Sequence, residues 1–257
     1  MFVFENTRKY AIVIAGPAGS GKSTLTKAFE KWLNNAGYTV KTINLDPGAE
    51  YVPYIPTWDI RDKFTVSEIM KRKKLGPNGA MLEAMKEISE NIDDLLNEIL
   101  KIDAEFILID TPGQIEIFAF RDVGQIFVSK LNKKVTTLGV FLIDGLFIKN
   151  IVSFIVANLL ATSVELNLGI PFVSIINKAD LLDSKILNKL KDTDFLKETL
   201  LKEGKGAIMD LALPIAEAVI NVRMPARNII VSATKEVGLE DLFDMLHELF
   251  CTCGDLT

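Results

Sequence analysis

Two cysteines and one histidine in 257 residues leave little material for thiol or imidazole chemistry. Cys251 and Cys253 are separated by one residue in "CTCGDLT", too close to staple a fold, and His247 does not complete the paired spacing of a zinc site. They read as free thiols in a terminal tail, which suits a reducing, cytoplasmic compartment. A basic excess is also missing. Lys and Arg number 29 against 34 Asp and Glu, a net charge of -5, which argues against nucleic acid as a general partner. Nor is there a long uninterrupted apolar run. "GLFIKNIVSFIVANLLATSVELNLGIPFVSII" is broken by Lys149, Glu165 and Pro171, so it is expected to be a buried helix and a buried strand rather than a membrane span. "MFVFENTRKYAIVIAG" is too short and too charged to serve as a secretion signal. No internal repeat or low-complexity linker interrupts the chain.

What is present is a soluble globular composition, 49% hydrophobic and 25% charged, arranged as alternating strand and helix patterns. "KYAIVIAG", "YTVKTINLD", "AEFILIDTPG", "VTTLGVFLID", "IPFVSIINKAD" and "RNIIVSATK" are apolar runs of strand length. Between the first two, Leu25, Ala28, Phe29, Trp32 and Leu33 recur at helical spacing before Gly37. "GLEDLFDMLHELF" is a final amphipathic helix. This rhythm predicts an α/β fold, a doubly wound, mostly parallel sheet flanked by helices, in one domain spanning 1–257. Helical insertions are expected at about 60–103 and 181–227. In the first, Met81, Leu82, Met85, Ile88, Ile92, Leu95, Leu96 and Ile99 form an apolar stripe suited to core packing or, alternatively, to a partner.

"GPAGSGKS", Gly16 to Ser23, fits the phosphate-loop pattern between a strand and a helix, placing the chain among P-loop NTPases. Gly19 and Gly21 let backbone amides turn toward phosphate oxygens, with Ser20 and Thr24 in the same cradle. Lys22 reaches the terminal phosphates, and the Ser23 hydroxyl suits Mg²⁺. In "FILIDTPGQ", Asp110 leaves a strand end where a carboxylate can hold a magnesium-bound water. The Gly113 amide can follow the terminal phosphate, and Gln114 can orient an attacking water. "INKAD" addresses the base. Asp180 as a buried carboxylate would pair with the guanine N1 and N2 donors, which adenine lacks. The Lys178 stem can cover the purine, Asn177 can brace the loop, and after Ser232 the Ala233 amide can reach guanine O6.

Taken in order, the phosphate loop, DTPGQ, NKAD and SA resemble a GTPase, and Gly76-Pro77-Asn78 between the first two resembles the GPN-loop GTPase family, archaeal-type homodimeric members above all. The likeness runs from Gly16 to Ala233 and extends to the dimeric P-loop GTPases and ATPases of the signal-recognition and septum-site class. Many of those carry an extra lysine early in the loop, where this chain has Pro17-Ala18. The resemblance implies a Mg²⁺-dependent homodimeric switch hydrolysing GTP to GDP and phosphate, with no membrane or direct nucleic-acid partner. A role in protein-complex assembly, of RNA polymerase in eukaryotic relatives, is also implied. It implies too that Asp46, in "INLDPGAE", activates water or ligates a magnesium-bound water, although "DPG" is also a good turn. Glu50 and Glu116 are weaker candidates for that work.

In the resemblance, Asn78 crosses the dimer to the other subunit's terminal phosphate. From its residues alone, Gly76-Pro77-Asn78-Gly79 is equally a turn, with Asn78 capping a helix that starts at Ala80. The preceding Lys71-Arg72-Lys73-Lys74 reads as a solvated run or as an attractor for the nucleotide. Two other functions fit the same phosphate loop: a phosphotransferase acting on a small acceptor, and an assembly scaffold with slow GTP turnover.

Overall fold

The computed structural model describes residues 9–148, 150–182, 214–215, 217–218 and 229–254. Most of the expected insertion at 181–227, and the side chains of Cys251 and Cys253, lie outside the described residues.

Among the described residues, seven parallel strands form one sheet: β1 (Tyr10–Ala15), β2 (Val40–Asn44), β3 (Trp58–Asp59), β4 (Phe106–Asp110), β5 (Thr136–Asp144), β6 (Phe172–Asn177) and β7 (Ile229–Ile230). Their order is β3-β2-β4-β1-β5-β6-β7. Six coincide with the apolar runs; β3 does not, because two residues in a proline-rich stretch carry no periodic signal. Parallel pairing needs helical crossovers that cover both faces, and the flanking helices include α1 (Lys22–Asn35), α2 (Val66–Lys73), α3 (Pro77–Glu90) and α4 (Ile92–Leu100). They continue with α5 (Ile115–Ala119), α6 (Asp122–Asn132), α7 (Ile151–Leu168) and α8 (Leu239–Gly254). On one face, α1 and α8 bury Leu25, Phe29, Leu33, Leu242 and Leu246 against β1, β4 and β5. On the other, α4, α6 and α7 bury Leu96, Ile99, Phe127 and Phe154.

The stripe through residues 81–99 is split between α3 and α4 by Asn91, whose φ of -113° and ψ of 17° interrupt the helix. Its side chains are buried except Leu82, so they pack as core. The expected buried helix α7 is only partly covered: Val152, Val156, Leu159 and Leu166 stand exposed on one side. Among the described residues, no helix is long and apolar enough to cross a membrane.

The register does most to build the site. Asn44, Asp110 and Ile14 are neighbours across β2, β4 and β1, and Asp144 pairs with Asn177 across β5 and β6. Chain leaving each of these strand ends therefore enters the same rim.

Candidate active site

The phosphate loop leaves β1 through three glycines in conformations that other residues resist: Gly16, Gly19 and Gly21 have φ of 153°, 76° and 97°. Space adds a second constraint. A Cβ on Gly21 would lie 2.5 Å from Asn177 Nδ2, and one on Gly16 would lie 2.9 Å from the Leu142 carbonyl. With Gly21 as N-cap and no side-chain cap, the amides of Lys22, Ser23 and Thr24 have no intrahelical acceptors and point out of the α1 N-terminus. Lys22 is 6% exposed and donates to the Gly16 and Pro17 carbonyls at 2.9 and 3.1 Å. Burial holds its pKa below the usual lysine value, opposed by the charges of Asp110 and Asp46. The ammonium and both carboxylates thus share one field. Ser20 Oγ is fully buried and makes no hydrogen bond.

Asp110 is 2% exposed. Burial pushes its carboxyl up to about 6, against the pull of the Ser23 and Tyr54 hydroxyls and Lys22. Tyr54 Oη donates to Oδ2 at 2.9 Å, while Oδ1 is buried and makes no hydrogen bond. Burial and then the Asp110 charge raise the phenol's own pKa, so it stays protonated and donates. No motif announced Tyr54: its partner is 56 residues away, and the irregular loop after β2 carries the ring back to the end of β4.

Asp46 follows β2 and bridges two backbone amides, Gly48 to Oδ1 at 2.9 Å and Gly113 to Oδ2 at 3.1 Å. The Asp-Pro-Gly turn expectation therefore holds, yet its second carboxylate oxygen reaches the DTPG loop. The turn is braced from behind by residues that the sequence did not single out. Asn44 is fully buried; its amide donates to Asp59 at 2.9 Å and its carbonyl accepts from the Asp46 amide at 3.1 Å. Arg61 pairs with Asp59 at 2.6 Å and donates to the Ala49 carbonyl. Burial pushes the Asp59 carboxyl up, but Arg61 and Asn44 outweigh it and hold its pKa below the usual value. Gln114 is half-buried at the start of α5 with no hydrogen bond from its side chain among the described residues, and Glu50 and Glu116 are exposed.

At the far end of the rim, Asn177 ties the two halves of the site together. Its Nδ2 donates to the Ser20 carbonyl at 2.9 Å and its Oδ1 accepts the Ala233 amide at 3.1 Å. That amide, expected for guanine O6, is thus engaged by Asn177. Lys178 adopts a left-handed φ of 63° and its ammonium pairs with Asp144 at 2.7 Å, fixing the stem. The Asp180 carboxylate is exposed rather than buried. It is aimed by hydrogen bonds from Ser232 Oγ and Thr234 Oγ1, and its Ser232 partner chiefly holds its pKa below the usual carboxylate value.

Gly76-Pro77-Asn78 does not lie in this rim's bonding. It forms the exposed tip between α2 and α3, and α3 starts at Pro77 with Gly76 as N-cap. Proline at N1 suits a missing amide and a preset φ. Asn78 is therefore the second helical residue, not the expected cap, and its exposed side chain makes no hydrogen bond among the described residues. The basic run is exposed, as a solvated stretch would be, and two of its members also pair: Arg72 with Glu87 and Lys73 with Glu83, stapling α2 to α3. The hairpin's base rests on the Asp46 turn, with the Val66 amide on the Pro47 carbonyl at 2.9 Å and Met81 packed at Gly48.

Residues 14–252 match a family model described as a conserved hypothetical ATP binding protein. The chain is 36% identical over 253 residues to a GPN-loop GTPase of Pyrococcus abyssi, covering 96% of this chain and 99% of that one. It is 35% identical over 175 residues to GPN-loop GTPase 3 of Dictyostelium discoideum, covering 68% of this chain and 61% of that one. The crystal structure of a GTPase in apo form from Pyrococcus abyssi superposes with a TM-score of 0.87 at 34% identity, covering 95% and 98% of the two chains.

Proposed function

The chain belongs to the GPN-loop GTPases, and from that premise we propose that it binds GTP across the rim from Gly16 to Ala233 and hydrolyses it to GDP and phosphate as a homodimeric switch. The observation that carries this reading is Asn177, which bonds the phosphate loop on one side and the Ser232–Ala233 turn on the other. One buried side chain thereby couples the phosphate loop to the turn at the base end. The family model's description names ATP, but the base end of the rim suits guanine. Asp180 is a pure acceptor aimed by Ser232 and Thr234, and guanine offers N1 and N2 donors where adenine offers none.

Within this reading, the α1 amides and Lys22 hold the phosphates, with Gly19, Ser20, Gly21, Ser23 and Thr24 shaping the cradle. The residues fit Mg²⁺. Asp110 Oδ1 is a buried oxygen with no hydrogen bond, Ser23 is beside the same carboxylate, and magnesium takes few protein oxygens and completes its shell with phosphates and water. No cluster of three His, Cys, Asp or Glu residues among the described ones competes for such a cation. Ser23 and Asp110 would hold the ion, which would neutralise developing charge on the phosphates. Asp46 accepts the proton of the attacking water, and Gln114 orients that water from the α5 end. A γ-phosphate oxygen approaching the Gly113 amide competes with Asp46 for it, so substrate binding loosens Asp46 for this task.

Asn78, presented outward at a stapled tip, acts on the partner subunit's terminal phosphate, where a neutral amide complements Lys22. The hairpin's contact with the Asp46 turn makes loop engagement and water activation move together. We further assign 1–257 to one GTPase domain with helical insertions, working in the cytoplasm in protein-complex assembly.

Asp180→Asn tests the base assignment. The substitution replaces one of two acceptor oxygens by an NH2 donor that suits the xanthine 2-oxo group and opposes the guanine 2-amino group, so xanthosine triphosphate should overtake GTP as substrate, with GTP's kcat/KM falling about a hundredfold or more. Unchanged guanine preference in competition assays would reject it.

A further inference from the structure

We propose that Tyr54 positions the Asp110 carboxylate for the divalent cation, an inference that rests on the nucleotide reading above. Asp110 presents two buried oxygens with opposite fates. Oδ2 receives the Tyr54 hydroxyl at 2.9 Å, with the Ser23 hydroxyl also drawing on the carboxylate; Oδ1 receives no hydrogen bond. A carboxylate turns readily about its Cβ–Cγ bond, so a donor fixed to one oxygen decides where the other points. Partners of this kind orient a ligand and are felt by the metal although they never touch it. A neutral phenol also leaves the carboxylate its full charge, which a lysine or arginine in the same place would offset against the cation.

Tyr54 can act as a fixed donor because its loop is stiff although it has no regular structure. Pro53 and Pro56 restrict the backbone on either side. The side chains alternate in direction: Val52 and Tyr54 are each 7% exposed, whereas Tyr51 and Ile55 are 78% and 92% exposed. The loop's far end is clamped to β2 by the Thr57 amide on the Thr42 carbonyl at 2.8 Å and by Thr42 Oγ1 on the Ile55 carbonyl at 3.4 Å. Arg61 holds the near end through the Ala49 carbonyl at 3.0 Å. The phenol is thus delivered to Asp110 by a segment anchored at both ends.

The test measures binding without turnover. Release of a fluorescent GDP analogue from the full chain is followed as Mg²⁺ is titrated, giving a metal midpoint. Tyr54→Phe, which removes one oxygen and keeps the ring, should raise that midpoint about tenfold, while affinity for the analogue without metal stays as in wild type. Tyr54→Leu should show the same shift with a lower thermal midpoint, which separates the hydroxyl from ring packing. In an Asp110→Asn background, Tyr54→Phe should move the metal midpoint no further. A wild-type midpoint in Tyr54→Phe, a shift that appears only with Leu, or an equal shift in both backgrounds would overturn the inference. Wild-type protein whose GDP release ignores Mg²⁺ would overturn the nucleotide reading together with it.

Discussion

Lys22→Ala should cost GTP hydrolysis about a hundredfold or more in kcat, on the order of 3 kcal/mol of transition-state stabilisation. The size follows from where the ammonium is kept. Lys22 is nearly fully buried and bonded to the Gly16 and Pro17 carbonyls, so it is already desolvated and oriented before any phosphate arrives. Burial has shifted it toward the neutral form, and the charges of Asp110 and Asp46 draw it back. A terminal phosphate brings further negative charge into the same field and favours the ammonium more strongly. Charge stabilisation in such a preorganised place is worth far more than in water. Removing the side chain also leaves two loop carbonyls without their donor. Single-turnover hydrolysis with saturating GTP checks the prediction; a loss below about tenfold would show that the lysine positions the loop and contributes little to the transition state.

Asp46→Asn is the second large effect. Asp46 spends one oxygen on Gly48 and the other on Gly113. Asparagine offers a single acceptor, so one of those amides loses its partner, and the new side chain cannot take a proton from water. The expected loss in kcat is about two to three powers of ten, the range of a general base. Nucleotide affinity should change by only a few-fold, because Asp46 contacts neither the α1 amides nor the base loop. Matched losses in affinity and kcat, measured by nucleotide binding and single turnover, would assign Asp46 to holding the turn alone.

Much of the fold was legible because parallel strands buried on both faces are written as apolar runs, and six of the seven were. β3 escaped because its two residues are placed by pairing with Ile43 and Asn44, not by any pattern of their own. The break at Asn91 escaped because the apolar spacing runs through it without a fault. In the candidate site, Gly16, Gly21, Lys22, Asp110 and Asn177 were legible because each stands in a short motif of fixed residue type and spacing that follows a strand, and the sheet brings those strand ends to one rim. Tyr54, Asn44, Asp59, Arg61 and Asp144 were not. Asn44 and Asp144 work on neighbours that the sheet register brings close, Tyr54 reaches Asp110 from a loop, and Arg61 braces the Asp46 turn from two residues beyond Asp59; none of these bonds belongs to a motif with its own spacing. Asn78 shows the opposite case: its helix-cap reading was sound turn chemistry, and it gave way because Pro77 already opens the helix.

The claim that one subunit's Asn78 completes its partner's site is tested most directly by complementation. Lys22→Ala and Asn78→Ala subunits, each inactive alone, are mixed and their GTP hydrolysis is measured alongside proof that mixed dimers form. Each mixed dimer should contain one site with both an intact phosphate loop and an intact partner Asn78, so activity should return to about a quarter of wild type for random pairing of equal amounts. Mixed dimers that form and remain inactive would contradict the account.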